Sequence, residues 1–267
     1  ALNLSCAFVA KKMYPNYRSA GMVSISERKD ISRKIRDLFT AKIGGVVNNS
    51  ADSMVVSSFL GLTALAVYQN YFYIISSLMG LFVIFFQACT AGIGNSLILN
   101  KQEDNISLFY RINFFAMFAL NFCCASLISL YQPFMSIWVG EDMMLDFVFV
   151  ILFAVYLFVE IAPRTAIVFK DAGGIWREDR FRPLIAAAVN LALNIALVKY
   201  IGLYGILIST IVSLSLIAFP WLIVNINRNL IPIGIGKYFM TIFMYMIIIS
   251  INCLFTFFVC EFVLKRF

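Results

Sequence analysis

Apolar residues run along this chain in long blocks, separated by short polar stretches. The blocks cover 42–63, 68–96, 107–131, 146–169, 182–200, 203–226 and 238–262. At 1.5 Å per residue, about 20 helical residues cross the roughly 30 Å of a bilayer's hydrocarbon. Each block therefore predicts a membrane-crossing helix. The separators 64–67 and 200–204 are very short, with Gly61, Gly202 and Gly205 beside them, so the helices they join must be antiparallel neighbours. The opening ALNLSCAFVA is apolar over about half a span and reads as the end of a longer transmembrane helix. The expected organisation is a helix end at 1–10, a basic loop at 11–41, a six-helix lobe at 42–226, and an additional helix and tail at 227–267. The fold class is all-α integral membrane, a polytopic helical bundle of about seven full transmembrane helices.

Lys11 to Lys42 breaks the apolar pattern with nine basic residues against Glu27, Asp30 and Asp37. Ile25, Ile31, Ile35, Leu38 and Phe39 recur at helical spacing between the charges. That predicts a basic amphipathic helix suited to an anionic leaflet, capped by Ser26 or Ser32. An ordinary positive cytoplasmic loop accounts for the same charges. If the helices alternate, 17 of the 21 Lys and Arg residues fall on the side of this loop and only Lys199, Lys265 and Arg266 fall opposite. This bias predicts that the Lys11–Lys42 side is cytoplasmic. Glu141, Asp142 and Asp146 sit on the other side.

Composition agrees with the blocks: 62% hydrophobic, 13% charged, mean hydropathy +0.89. A soluble chain carries about 25% charge, so lipid must serve as solvent here. The pI of about 9.1 then reports topology rather than a nucleic-acid partner. Histidine is absent, which removes the commonest general base and metal ligand. The six cysteines lie in apolar segments without metal-site or disulfide spacing and read as small buried hydrophobes. No phosphate-binding glycine loop and no HExxH motif occurs, and no nucleophile is set beside a base. Neither a catalytic residue, a metal nor a cofactor is expected, and the chain does not read as an enzyme.

Charges inside the apolar blocks cost about 2.5–3.5 kcal/mol each at a helix centre and so call for a reason. Asp52 lies ten residues into the first block, near the midplane, with Asn48 one turn earlier on the same face and Asn49 and Ser53 flanking it. That pattern fits a polar wall able to take a proton or a cation, or else a buried hydrogen-bonding group. Glu160 and Arg164 stand four apart around Pro163, which frees the carbonyl of Val159. They predict an ion pair beside a kink, with Arg164 available to an anionic substrate, or a snorkelling arginine with a neutralising partner. Asn190 and Asn194 share a face with Ala186, a stripe that usually marks helix packing. Tyr68, Tyr71 and Tyr73 fit an interfacial aromatic belt, or a surface for stacking sugar rings.

Two stretches carry a family likeness. AGGIWREDRFRP followed by NLALNIALVKYIGLYGILIST resembles the second half of Wzx-type polysaccharide-biosynthesis flippases, which export O-antigen and capsule repeat units. They belong to the multidrug/oligosaccharidyl-lipid/polysaccharide superfamily. NNSADS at Asn48–Ser53 with VYQNY at Val67–Tyr71 is similar to the same family's seventh helix. The likeness covers most of 40–226 and departs from the family pattern at Ala186. It implies the second lobe of a two-lobe alternating-access transporter in a bacterial or archaeal inner or plasma membrane, with the N-terminal lobe as partner. It also implies a polyprenyl-diphosphate-linked oligosaccharide as substrate, undecaprenyl being the lipid. The diphosphate would meet Arg164 with Glu160, Asn48 and Asn49 on the cavity wall, and Lys170, Arg177, Arg180 and Arg182 would gather it at the inner face. Asp52 would couple transport to an ion gradient. A drug/cation antiporter, a peptidoglycan-precursor flippase and a membrane-embedded polymerase or acyltransferase remain alternatives.

Overall fold

A computed structural model describes residues 2–15 and 23–264, with the side chains of residues 2–4, 41, 47–49 and 264 excepted. Among the described residues the regular structure is entirely helical. The chain divides into two units, Ala1–Arg36 and Asp37–Phe267. The first holds α1 (Leu2–Met13) and the charged beginning of α2 (Ile25–Leu99). The cap of α2 is Ser24, not the expected Ser26 or Ser32. The Ser24 hydroxyl accepts from the Glu27 N–H at 3.2 Å, and the Glu27 carboxylate accepts from the Ser24 N–H at 3.0 Å and its hydroxyl at 2.7 Å. This reciprocal capping box satisfies orphan donors at the helix start. It also holds the Glu27 carboxyl below its ordinary value of 4.5, first through the Ser24 hydroxyl and then through the Ser24 N–H.

The second unit carries the remaining helices: α3 (Gln102–Trp138), α4 (Phe147–Ile161), α5 (Arg164–Gly173), α6 (Trp176–Asp179), α7 (Arg182–Ile201), α8 (Leu203–Ser213), α9 (Phe219–Asn229) and α10 (Ile235–Leu264). A π-helical segment, Leu214–Ala218, joins α8 to α9. Among the described residues, six helical segments are long and apolar enough to cross a membrane. The protein is thus an all-α, multi-pass membrane protein, and its helices are compatible with a membrane transporter.

The longest segment, α2, doubles back on itself. Gly61 has φ +88° and ψ 173°, a conformation essentially reserved for glycine. The Gln69 amide donates to the Ser53 hydroxyl at 2.9 Å across a separation of 16 residues. In a straight helix those residues would stand about 24 Å apart, so the two arms lie side by side. The turn comes three residues before the expected separator at 64–67, because Gly61 supplies the positive φ while 62–67 remain helical. Gly202, with φ +56°, makes the α7–α8 turn where it was expected.

Helix α3 runs antiparallel to α4–α5 in a register fixed at two points. The Phe109 and Phe169 rings meet at 5.2 Å, and the Cys124 thiol reaches the Ala154 carbonyl at 3.9 Å. The step from Phe109 to Cys124 and the step from Phe169 back to Ala154 have the same length. Tyr238 of α10 inserts behind this pair, its ring 5.5 Å from Phe109 and its hydroxyl donating to the Ala162 carbonyl at 2.9 Å. That carbonyl lies in the break between α4 and α5, where Pro163 interrupts the helix.

The connections segregate to two ends. At the basic end Asn225 reaches the Glu178 carbonyl, and the Tyr110 hydroxyl reaches the Ile233 carbonyl at 2.9 Å. At the opposite end Tyr71 donates to Gln132 at 2.9 Å and accepts from the Leu145 N–H at 3.0 Å, while Gln132 donates to the Leu145 carbonyl at 2.6 Å. The Tyr131 hydroxyl donates to the Tyr71 carbonyl. Tyr68 and Tyr71 are 2% and 0% exposed, so these two pack in the core rather than in an interfacial belt; only Tyr73 of the three faces outward.

Candidate functional site

Two polar constellations stand inside the second unit. The first gathers around Asp52 on the first arm of α2. One carboxylate oxygen, Oδ1, accepts from the side-chain amides of Asn190 at 3.2 Å and Asn194 at 2.7 Å. The other, Oδ2, accepts from the Thr210 hydroxyl at 3.1 Å. Asn190 and Asn194 are a turn apart on α7 and fully buried; Thr210 is on α8. The α7–α8 approach that unites them depends on Gly205, where an added Cβ would stand 2.8 Å from the Leu197 backbone carbon. The asparagine stripe expected to be packing is therefore tied to Asp52 by its amides. Thr210 is the member that sequence reasoning missed, and no local pattern marks it. The side chains of Asn48 and Asn49 lie outside the described residues.

Thr210 has one hydroxyl hydrogen and three acceptors in range: Asp52 Oδ2, the Asn190 side-chain oxygen at 3.3 Å and the Ile206 carbonyl at 3.1 Å. A hydroxyl both donates and accepts, so the cluster can serve either form of Asp52 without moving heavy atoms. As a carboxylate, Asp52 accepts the Thr210 hydrogen. As an acid, it donates to Thr210, whose own hydrogen turns to Ile206 or Asn190. The Asn194 side-chain oxygen is buried and has no hydrogen-bond partner.

The second constellation lines a cavity of about 440 Å³ at the basic end. Glu160 and Arg164 sit in its wall at the α4–α5 break. Their ion pair measures 2.7 Å, and the Arg164 Nε also donates to the Glu160 carbonyl at 3.2 Å. Their side chains are 24% and 16% exposed, in the order Arg164 and Glu160, so both can meet a ligand in the cavity. Lys170 and Arg182 line the same cavity, as do Lys42, Leu214 and Ala218. The π-helical segment thus forms part of the wall, a common role for such segments near functional sites.

Buried Asp179 ties the basic residues together. Arg182 grips it as a fork, with Nε to Oδ1 at 2.7 Å and Nη2 to Oδ2 at 2.8 Å. Lys170 Nζ lies 3.6 Å from Asp179 Oδ2 and 2.7 Å from Asp171, and it stands 4.0 Å over the Trp176 ring. Asn225 donates to Asp179 at 3.3 Å. Arg180 pairs instead with buried Asp37 at 2.8 Å, away from the cavity wall. Arg177 is exposed and makes no ion pair among the described residues. The structure therefore brings Glu160, Arg164, Lys170 and Arg182 to one cavity, and it leaves Asp52, Arg177 and Arg180 outside that wall. Acidic partners neutralise most of the expected anion-gathering charge.

Among the described residues no cluster of His, Cys, Asp and Glu has the make-up of a metal site. Comparison of the chain with protein-family models, with curated proteins and with solved structures found no match in any of the three.

Proposed function

We propose that this chain forms the second lobe of a membrane flippase. It moves a polyprenyl-diphosphate-linked oligosaccharide from the cytoplasmic to the outer leaflet by alternating access, for surface polysaccharide synthesis in a bacterial or archaeal plasma membrane. The observation that carries this reading is the basic-end cavity, in which a kinked helix presents Glu160 and Arg164 beside Lys170 and Arg182. A lipid diphosphate cannot cross hydrocarbon unaided and needs a cavity with cationic, fork-shaped donors. Arg164 binds the diphosphate by exchanging Glu160 for phosphate oxygens. Lys170 and Arg182 make the same exchange against Asp179, while exposed Arg177 raises the local anion concentration. The Asp52 cluster couples the cycle to a proton or cation gradient.

The test is flipping of a fluorescent polyprenyl-diphosphate sugar in proteoliposomes made with the complete transporter. One charge-assisted contact is worth about 1.5–3 kcal/mol, so Arg164→Ala weakens substrate affinity roughly ten- to hundredfold. Asp52→Asn leaves binding intact and removes the response to an imposed gradient. Unchanged flipping in both variants sinks the assignment. Competition by an organic cation or by a peptidoglycan precursor instead identifies the antiporter or precursor-flippase alternative, and covalent change in the lipid identifies an enzyme.

A further inference from the structure

We propose that Asn113 on α3 and Thr165 on α5 hold a single ordered water molecule at the helix break beside the cavity. The register of α3 against α4–α5 places these residues face to face: Asn113 is four residues beyond Phe109 and Thr165 four residues before Phe169, the ring pair that meets at 5.2 Å. Both side chains are 0% exposed. The Asn113 amide nitrogen, the Asn113 amide oxygen and the Thr165 hydroxyl all lack a hydrogen-bond partner. Three orphaned polar atoms at one level of an otherwise apolar interface are costly, at about 1–3 kcal/mol for each group.

Thr165 also departs from the habit of its neighbours. Thr90, Ser209, Thr210, Ser215, Thr241 and Thr256 each donate to the carbonyl four residues back in their own helices. Thr165 makes no such bond, because it sits in the first turn of α5 and the residue four back, Ile161, ends α4 across the break. Its hydroxyl is therefore left for a partner outside its helix. A water takes two to four polar partners, and here it donates to the Asn113 oxygen and accepts from both the Asn113 amide and the Thr165 hydroxyl. The water lies next to Pro163 and Arg164, where α4 ends and α5 begins. A bridging water exchanges partners more readily than a direct side-chain bond, so it lets α5 pivot on α3 while both residues stay satisfied.

Hydroxyl-radical footprinting by X-ray radiolysis reads this directly, because radicals formed from a bound water label side chains that bulk solvent cannot reach. The reporter is Met117, one turn from Asn113 and 1% exposed. In the protein in lipid nanodiscs, Met117 oxidises at a rate at least fivefold above that of the double variant Asn113→Leu, Thr165→Val. Thr165→Ser, which keeps the hydroxyl, retains the labelling. Melting temperatures verify that each variant is folded. Should the double variant fail to fold, Thr165→Val alone carries the comparison. Absence of Met117 labelling in the wild type overturns the proposal in favour of a direct Asn113–Thr165 bond. Equal labelling in wild type and Thr165→Val overturns it in favour of general solvent leakage.

Discussion

Replacing Asp52 by asparagine and by alanine separates a chemical role from a scaffolding one. Asp52 accepts three hydrogen bonds, from Asn190, Asn194 and Thr210. Interhelical hydrogen bonds in membrane proteins average about 0.6 kcal/mol and reach about 1.7 kcal/mol. Alanine loses all three, which sums to about 2 kcal/mol and at most about 5 kcal/mol. Asparagine has nearly the same shape. Its oxygen accepts from Asn190 and Asn194, its amide donates to Thr210, and the Thr210 hydrogen turns to the Ile206 carbonyl. Each of the three groups that bond Asp52 keeps a partner, so stability stays within about 1 kcal/mol of wild type. Reversible unfolding in bicelles, followed by the fluorescence of Trp138, Trp176 and Trp221, measures both variants. If Asp52→Asn falls as far as Asp52→Ala, the negative charge itself holds the three helices, and the two-state hydrogen-bond scheme is wrong. If Asp52→Ala costs under about 0.5 kcal/mol, the cluster contributes nothing to helix association.

Two further outcomes follow from the ion pairs and the cap. Asp179→Ala leaves buried Lys170 and Arg182 short of their shared acid, a loss of about 3–5 kcal/mol, whereas Arg177→Ala stays within about 0.5 kcal/mol; the same unfolding measurement compares them. Glu27 titrates below the ordinary carboxylate value because it is stabilised as an anion by Ser24. A group with a depressed folded value contributes stability above its unfolded value and loses it as pH falls through the folded one. Circular dichroism of a peptide spanning 22–42 should show helicity falling as pH drops below 4.5, and Ser24→Ala, which removes the hydroxyl but keeps the backbone N–H, should weaken that dependence.

The helices were legible because an apolar block of membrane length leaves the backbone few alternatives. The α2 turn was placed late because no polar residue marks Gly61; only its positive φ sets the fold-back. Asp52 stood out as a charge in an apolar block, but its partners lie 138 to 158 residues away and no local pattern joins them. Asn190 and Asn194 were visible as a stripe, which packing and ligation produce alike. Tyr68 and Tyr71 look like belt residues by type, and their inward direction comes from the arm they sit on. The Asp179–Arg182 pair stands at i, i+3, but Arg182 drew notice only as a cation and its partner Asp179 was missed. The burial of Lys170 is not, since it arises where α5, α6 and α9 converge.

The distance along the chain between Asp52 and its partners has a consequence for synthesis. Asn190 leaves the ribosome 138 residues after Asp52. At 5–20 residues per second, this is a wait of roughly 7–28 s. Throughout it the first arm of α2 carries a carboxyl group that alone opposes insertion by about 2.5–3.5 kcal/mol. The hairpin can enter early, since Ser53 and Gln69 already satisfy each other across it. Its final depth, however, is decided only when α7 and α8 arrive, so helices made more than a hundred residues later complete the insertion of this arm.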